Sequence, residues 1–463
     1  MNRLFLVAAT VVLAGCSTLG QLAWQAVDQA GRYSANEVTV DEILVPDGFR
    51  AVRVVNGLNF PSAVTFGDDG TIYVLESHTV PAPMLKPKIV RITKDGRIDK
   101  VNAALNGDTA IGLTFHDGWL YVSHEEKDGT FSISRVRPAG GTIEPVLRSL
   151  PARGDHDVNH LAFDRDGTLY FGIGSATNSG VVAKADPVNQ KWLAKFPGAR
   201  DIPCKDITLT GKTFQDEAGT TGAFQPLGQS AARTIRGEPL CTSAVYRVRP
   251  GTTTPELVAW GFRNPVALAF DRDGSLVIGN HGADVRSTRP IPDDPDSVLR
   301  LREGAWYGWP DYYASLLPIS DPVIDRQGSG LPVPDRALVI ATTEPHAAIG
   351  GIAVLPDGAV LIAEMGDFKP LTDPNASSRA GFQVERIDPQ SGTITPLYRN
   401  RGQGDAQPAS TLDLRNGFER PVDVRVGPDG MVYVLDFGAF VTSGGEPKAF
   451  PKTGKLFRIE PLR

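Results

Sequence analysis

Short runs in which apolar and polar residues alternate recur along the chain, each broken by an Asp-Gly pair and followed by a second apolar run. The copies are Ala63–Phe66 with Asp69-Gly70 and Ile72–Val74, Gly112–Phe115 with Asp117-Gly118 and Leu120–Val122, and Leu161–Phe163 with Asp166-Gly167 and Leu169-Tyr170. Three more follow at Ala267–Phe270 with Asp273-Gly274, Gly351–Val354 with Asp357-Gly358, and Asp423–Val426 with Asp429-Gly430. Alternation with period two marks half-buried strands, and Gly accepts the positive φ of a tight turn, so each copy predicts a β-hairpin. A further strand pattern comes after the hairpin, as in Ile89–Ile92, Ile133–Val136, Val245–Val248, Val298–Leu301, Val384–Ile387 and Leu456–Ile459. Six such units predict an all-β, six-bladed propeller of about four strands per blade. The last copy ends at the C-terminus, and pairing it with the strand-like Phe49–Val55 would close the ring.

The hairpins are about 48 residues apart from Gly70 to Gly118, and the interval roughly doubles between Gly167 and Gly274. The excess, about residues 180–242, is polar and poorly alternating, and reads as an insertion on one face. Composition agrees with many turns, with 49 Gly and 36 Pro in 463 residues. A net charge of −6 with no basic run argues against a nucleic-acid partner.

Residues 1–15 read as a signal segment, with Arg3, then the apolar Leu4–Leu13, and a cleavage region before Cys16. Leu13-Ala14-Gly15-Cys16 resembles the bacterial lipobox, in which the cysteine is acylated; an ordinary signal peptide with a chance Cys is the alternative. The apolar stretch is too short for a permanent span. Residues 16–40 would then be a lipidated N-terminus and linker, and Ser17 points to the periplasmic face of the outer membrane. With Cys16 lipidated, Cys204 and Cys241 remain, and an oxidising compartment favours a disulfide clipping the insertion over two free thiols.

Two polar segments enter blades: Gly154-Asp155-His156-Asp157-Val158-Asn159-His160-Leu161 and Trp260-Gly261-Phe262-Arg263-Asn264-Pro265. Both should face one end of the central channel, bringing a His base and an Arg cation over one pocket. Asp155-His156 with Leu161, Gly261-Phe262-Arg263-Asn264-Pro265, and Asn280-His281-Gly282-Ala283 followed by Asp296 and Tyr307-Gly308-Trp309-Pro310 stand in this order. They resemble the motifs of the soluble pyrroloquinoline-quinone sugar dehydrogenases, the glucose and sorbosone dehydrogenases, over most of residues 41–463.

The resemblance implies oxidation of a sugar or polyol, with hydride passing to the quinone while His156 takes the hydroxyl proton and Asp155 or Asp157 orients it. It implies calcium on the backbone carbonyls of Gly282 and Ala283, Arg263 against the quinone oxygen, and Asn264 at the ring edge. Arg420, with Arg379 or Lys369, would meet the cofactor's carboxylates. His281 and His346 are candidate pocket residues, His160 a packing or cofactor-adjacent one, and Asp296 a structural one. The electron acceptor stays unnamed.

Some positions depart from the family. The Gln-containing run of the glucose-oxidising branch is replaced by Asn106–Gly112, Asp296 is followed by Ser297, and the insertion is different, so the substrate is not transferred from that branch. Two alternatives stand beside this reading. One is a calcium-dependent lactonase-like hydrolase, which would need inward carboxylates and amides. The other is a non-catalytic envelope-binding propeller.

Overall fold

All six Asp-Gly glycines have left-handed φ, between 73° and 91°, as the hairpin turns require. In four of these turns the Asp carboxylate also accepts the backbone N–H two residues on: Asp69 from Thr71, Asp273 from Ser275, Asp357 from Ala359 and Asp429 from Met431. The structure, a computed structural model, describes residues 37–77, 86–95, 97–375, 379–402, 407–443 and 446–462. The signal segment and Cys16 lie outside the described residues.

Each hairpin forms the inner half of an antiparallel blade, and the chain forms six of them. The inner strands are, in order, Pro61–Phe66, Ala110–His116, Val158–Phe163, Asn264–Phe270, Ile349–Val354 and Pro421–Val426. Each lies beside the next, and the last returns to the first. Phe49–Leu58 pairs with Gly454–Pro461, with Ala51 opposite Ile459, so the two ends of the chain close the ring in one blade. The expected six-bladed, all-β propeller is therefore the observed fold. Its core lies between neighbouring blades: Ala63, Tyr73 and Leu75 of the first pack against Ala110, Leu113 and Val122 of the second.

Between Ile173 and Ala244 the third blade carries a long excursion. It contains a short helix, α1 (Pro187–Leu193), capped by Asp186, which accepts the N–H groups of Val188 and Asn189. A hairpin, Thr213–Asp216 with Gly219–Gly222, follows, and a Cys204–Cys241 disulfide ties the excursion together.

One irregularity recurs in every blade. Near its start each inner strand shifts register against its partner: between Pro61 and Ala63, Ala110 and Leu113, Val158 and Leu161, Pro265 and Ala267, Ile349 and Gly351, and Pro421 and Asp423. The residues passed over include Ser62, Ile111, Asn159, His160, Val266, Gly350 and Val422. Such bulges re-aim side chains out of the ladder. Here they turn one position of each blade, and two of the third, toward the axis.

Candidate functional site

Those bulged residues all line one cavity of about 270 Å³ at the axis, so every blade contributes to its wall. Entry loops and strand ends complete it with Asp155, His156, Asp157, Arg263, Asn264 and His281. A larger groove of about 720 Å³, lined by Asp69, Asp95 and Asp429 among others, takes in two of the hairpin turns and holds none of the candidate site residues.

His156 donates from Nδ1 to the carbonyl oxygen of Ser175, 2.8 Å away, because a carbonyl can only accept. That fixes the tautomer and leaves the lone pair on Nε2, for which no partner exists among the described residues. Burial first, and the neighbouring Arg263 guanidinium second, hold the imidazole well below its usual range. It is neutral at pH 7. The ring needs the space that Gly174 leaves: a Cβ there would collide with His156 Cβ and Asn264 Oδ1. Neither flanking aspartate orients it. Asp155 instead accepts from Trp192 Nε1 (2.7 Å), Asn189 Nδ2 (3.0 Å) and Arg286 Nη2 (2.6 Å), so α1 of the insertion buttresses the mouth. Asp157 makes no side-chain hydrogen bond or ion pair among the described residues, and burial, then the charge of Glu125, push its carboxyl up to about 8.

Arg263 is anchored by Asn178 and by Asp284, 2.8 Å away. Asp284 is the hub of the cations, since Arg286 Nε (3.1 Å) and His346 Nδ1 (3.5 Å) also meet it. Burial opposes its charge, but Arg263, His346 and Arg286 outweigh burial and hold the carboxyl far below its usual range. The same contact raises His346, against the opposing effect of burial. Arg286 spends its remaining donors on Asp186 and Asp155, both at 2.6 Å. Asn264 is also committed: its amide accepts from Asn159 (2.7 Å) and donates to His281 Nδ1 (3.0 Å), while His281 Nε2 donates to the Ile349 carbonyl. Lower in the channel, His160 Nδ1 accepts from Arg425, which Asp423 holds.

Sequence reasoning thus finds Asp155, His156, Arg263, Asn264, His281, Gly282 and His346 at one place. Four expected residues are not brought there: Arg420, Arg379, Lys369 and Ala283, the last being buried with its N–H held by Asp294. Arg420 is buried under the 365–368 loop, donating to the carbonyls of Met365 and Gly366 and stacked 3.6 Å from the Phe440 ring and 5.1 Å from Phe368. Arg379 pairs with Asp367 (3.3 Å) over Phe382, and Lys369 is outside the lining. Missed by sequence were Asp284 and Arg286, whose charge alternation directly after Gly282-Ala283 was the available signal. Ser175 acts chiefly through its carbonyl, with its Oγ 3.2 Å from the same Nδ1, and no motif marks it.

Pyrroloquinoline quinone carries three carboxylates, and the lining does not fit them. Each guanidinium nitrogen of Arg286 meets a carboxylate, Arg263 and His346 are paired with Asp284, and Asp155, Asp157, Asp284 and Asp296 face the same space. The backbone N–H groups of Gly282 and Ala283 are held by Asp296 and Asp294. Among the described residues no group of three or more His, Cys, Asp or Glu side chains could hold a metal.

No family model matches the chain. A protein of Synechocystis sp. is 23% identical over 474 residues, spanning 92% of this chain and 94% of that one. The fold is similar to the PQQ-bound aldose sugar dehydrogenase of Streptomyces coelicolor (TM-score 0.50, 16% identity, 93% of this chain and 100% of that one). It is also similar to the holo PQQ domain of pyranose dehydrogenase from Coprinopsis cinerea (TM-score 0.55, 16% identity, 90% and 97%). The chain is a six-bladed β-propeller structurally related to these sugar dehydrogenases at low sequence identity.

Proposed function

We propose that the axial cavity is the active site of an oxidoreductase acting on a hydroxyl group of a small neutral sugar or polyol. The observation that carries this is the His156 imidazole, neutral, fixed as its Nδ1–H tautomer, and offering an unclaimed Nε2 lone pair beside Arg263. A substrate hydroxyl donating to Nε2 would lose its proton there as the carbon-bound hydrogen leaves as hydride to an oxidant. Arg263 would steady the negative charge growing on the oxygen before the carbonyl product forms.

The oxidant is a separate molecule. Pyrroloquinoline quinone with calcium is what the sequence resemblance implies; the wall of His156, Arg263 and Asn264 supports it, and the paired cations argue against its carboxylates. The final electron acceptor is external. Export and lipid anchoring through Cys16 would put the reaction in the cell envelope; no helix among the described residues is long and apolar enough to cross a membrane.

The test is dye reduction by the purified full-length chain over a panel of aldoses and polyols, with dye alone and with added quinone and calcium. Reduction in either arm, lost in His156→Ala, supports the proposal. Absence of reduction in both arms contradicts it, and lactone hydrolysis without an oxidant would favour the hydrolase.

A further inference from the structure

The cavity's unused polar groups are few. Every carboxylate that meets Arg286 or Arg263 is engaged, Asp296 holds the N–H groups of Gly282 and Ile349, and Asn264 and His281 satisfy each other and the backbone. Among the groups with no claim from any described residue are His156 Nε2, the Arg263 Nη1 donor, the Asp157 carboxyl and Thr372 Oγ1. The lining also has an apolar part, including Ile111, Val266, Ile349, Val422 and Phe368.

We infer that this cavity is built for an uncharged vicinal diol and rejects the triply carboxylated pyrroloquinoline quinone. A hydroxyl both donates and accepts, so one can give its proton to His156 Nε2 while accepting from Arg263 Nη1. Asp157 is the residue after His156 and lines the same cavity, so its open carboxyl is placed for the neighbouring hydroxyl. The C–H face of the diol would rest on the apolar wall. An entering carboxylate finds a single unclaimed guanidinium nitrogen in the lining, Arg263 Nη1, on a guanidinium whose charge Asp284 already meets. The second and third carboxylates of the quinone would have to displace Asp155, Asp186 or Asp284 from a buried ion pair to meet a cation, leaving that carboxylate uncompensated. A like charge beside Asp284 and Asp296 would also be repelled.

This inference rests on the proposed use of His156, and its test is separate because it reads binding and not turnover. Calorimetry on the full-length chain would compare cis-1,2-cyclohexanediol, cyclohexanol, gluconate, and pyrroloquinoline quinone with calcium. The diol should bind about tenfold or more tighter than cyclohexanol. Gluconate, with one carboxylate, should bind no tighter than the diol, and the quinone should give no saturable heat and should not displace the diol. Asp157→Ala should bring diol and monool affinities within about twofold of each other, and Asp157→Asn, whose amide still bonds a hydroxyl, should restore most of the gap. Equal binding of diol and monool, no diol binding at all, an unchanged gap in Asp157→Ala, or displacement of the diol by the quinone would overturn it. Diol binding without any dye reduction would spare this inference and defeat the proposed oxidation.

Discussion

The His156 imidazole gives its Nδ1 proton to the carbonyl oxygen of Ser175 over 2.8 Å, so a backbone group and not a carboxylate decides which nitrogen faces the cavity. A backbone acceptor stabilises the tautomer without placing a formal negative charge beside the ring. Burial and Arg263 then keep the ring neutral.

Oxidation that depends on this base should be insensitive to His156 between pH 7 and 6, because its protonation falls well below 6.5. His156→Ala should lower kcat by about 10²–10⁴ with the fold intact. Steady-state rates against pH check both points, and a His156-dependent loss of rate centred near pH 6.5 would refute the first.

Asp284 links Arg263, Arg286 and His346. Its folded pKa is depressed, so its contribution to stability is present above the unfolded carboxylate range and is lost only as pH falls through strong acid. Asp284→Asn leaves two guanidiniums and His346 short of a partner and should cost about 3–5 kcal/mol at pH 7. Denaturant unfolding of both proteins should show that gap closing only at strongly acid pH.

Asp157 has the opposite sign. Its carboxyl stands at about 8 in the folded chain, so the unfolded chain releases this proton first and stability falls as pH rises from about 4 to 8. Asp157→Asn should therefore be near neutral at pH 4 and stabilising at pH 8, on the order of a few kcal/mol. Thermal melts across that range read the trend directly.

Arg420 sits in an aromatic cage and holds two carbonyls of the loop that carries Phe368. Arg420→Ala should cost about 2–4 kcal/mol and raise hydrogen exchange over residues 365–368. Affinity for a neutral ligand should change only severalfold, since the guanidinium is outside the cavity lining. Loss of all ligand binding in a folded variant would make Arg420 a binding group after all.

Much of this arrangement is written in local chemistry. Asp-Gly pairs between alternating runs fix the hairpins, because few other dipeptides accept the turn's positive φ, and the count of hairpins fixes the blades. His156 and Arg263 stand out because polar residues sit where a strand is about to begin. The pairing of charges is less legible. Arg420 was expected to meet an anion, yet three aromatic rings and two carbonyls far apart in sequence claim it first. Asp284 and Arg286 form their network with residues up to 131 positions away, which no short motif records. The axial bulges at Ser62, Val266 and Val422 show no sequence mark, since a register shift depends on both strands.

Nitrogen-15 NMR of histidine-labelled protein, titrated with cis-1,2-cyclohexanediol and with D-glucose, reads the state of His156 itself, with His156→Asn assigning the signal. The account predicts an imidazole protonated on Nδ1 throughout, whose Nε2 resonance moves on titration as the lone pair accepts a hydroxyl. A resonance showing the proton on Nε2, or one that stays fixed while either ligand binds, would contradict it.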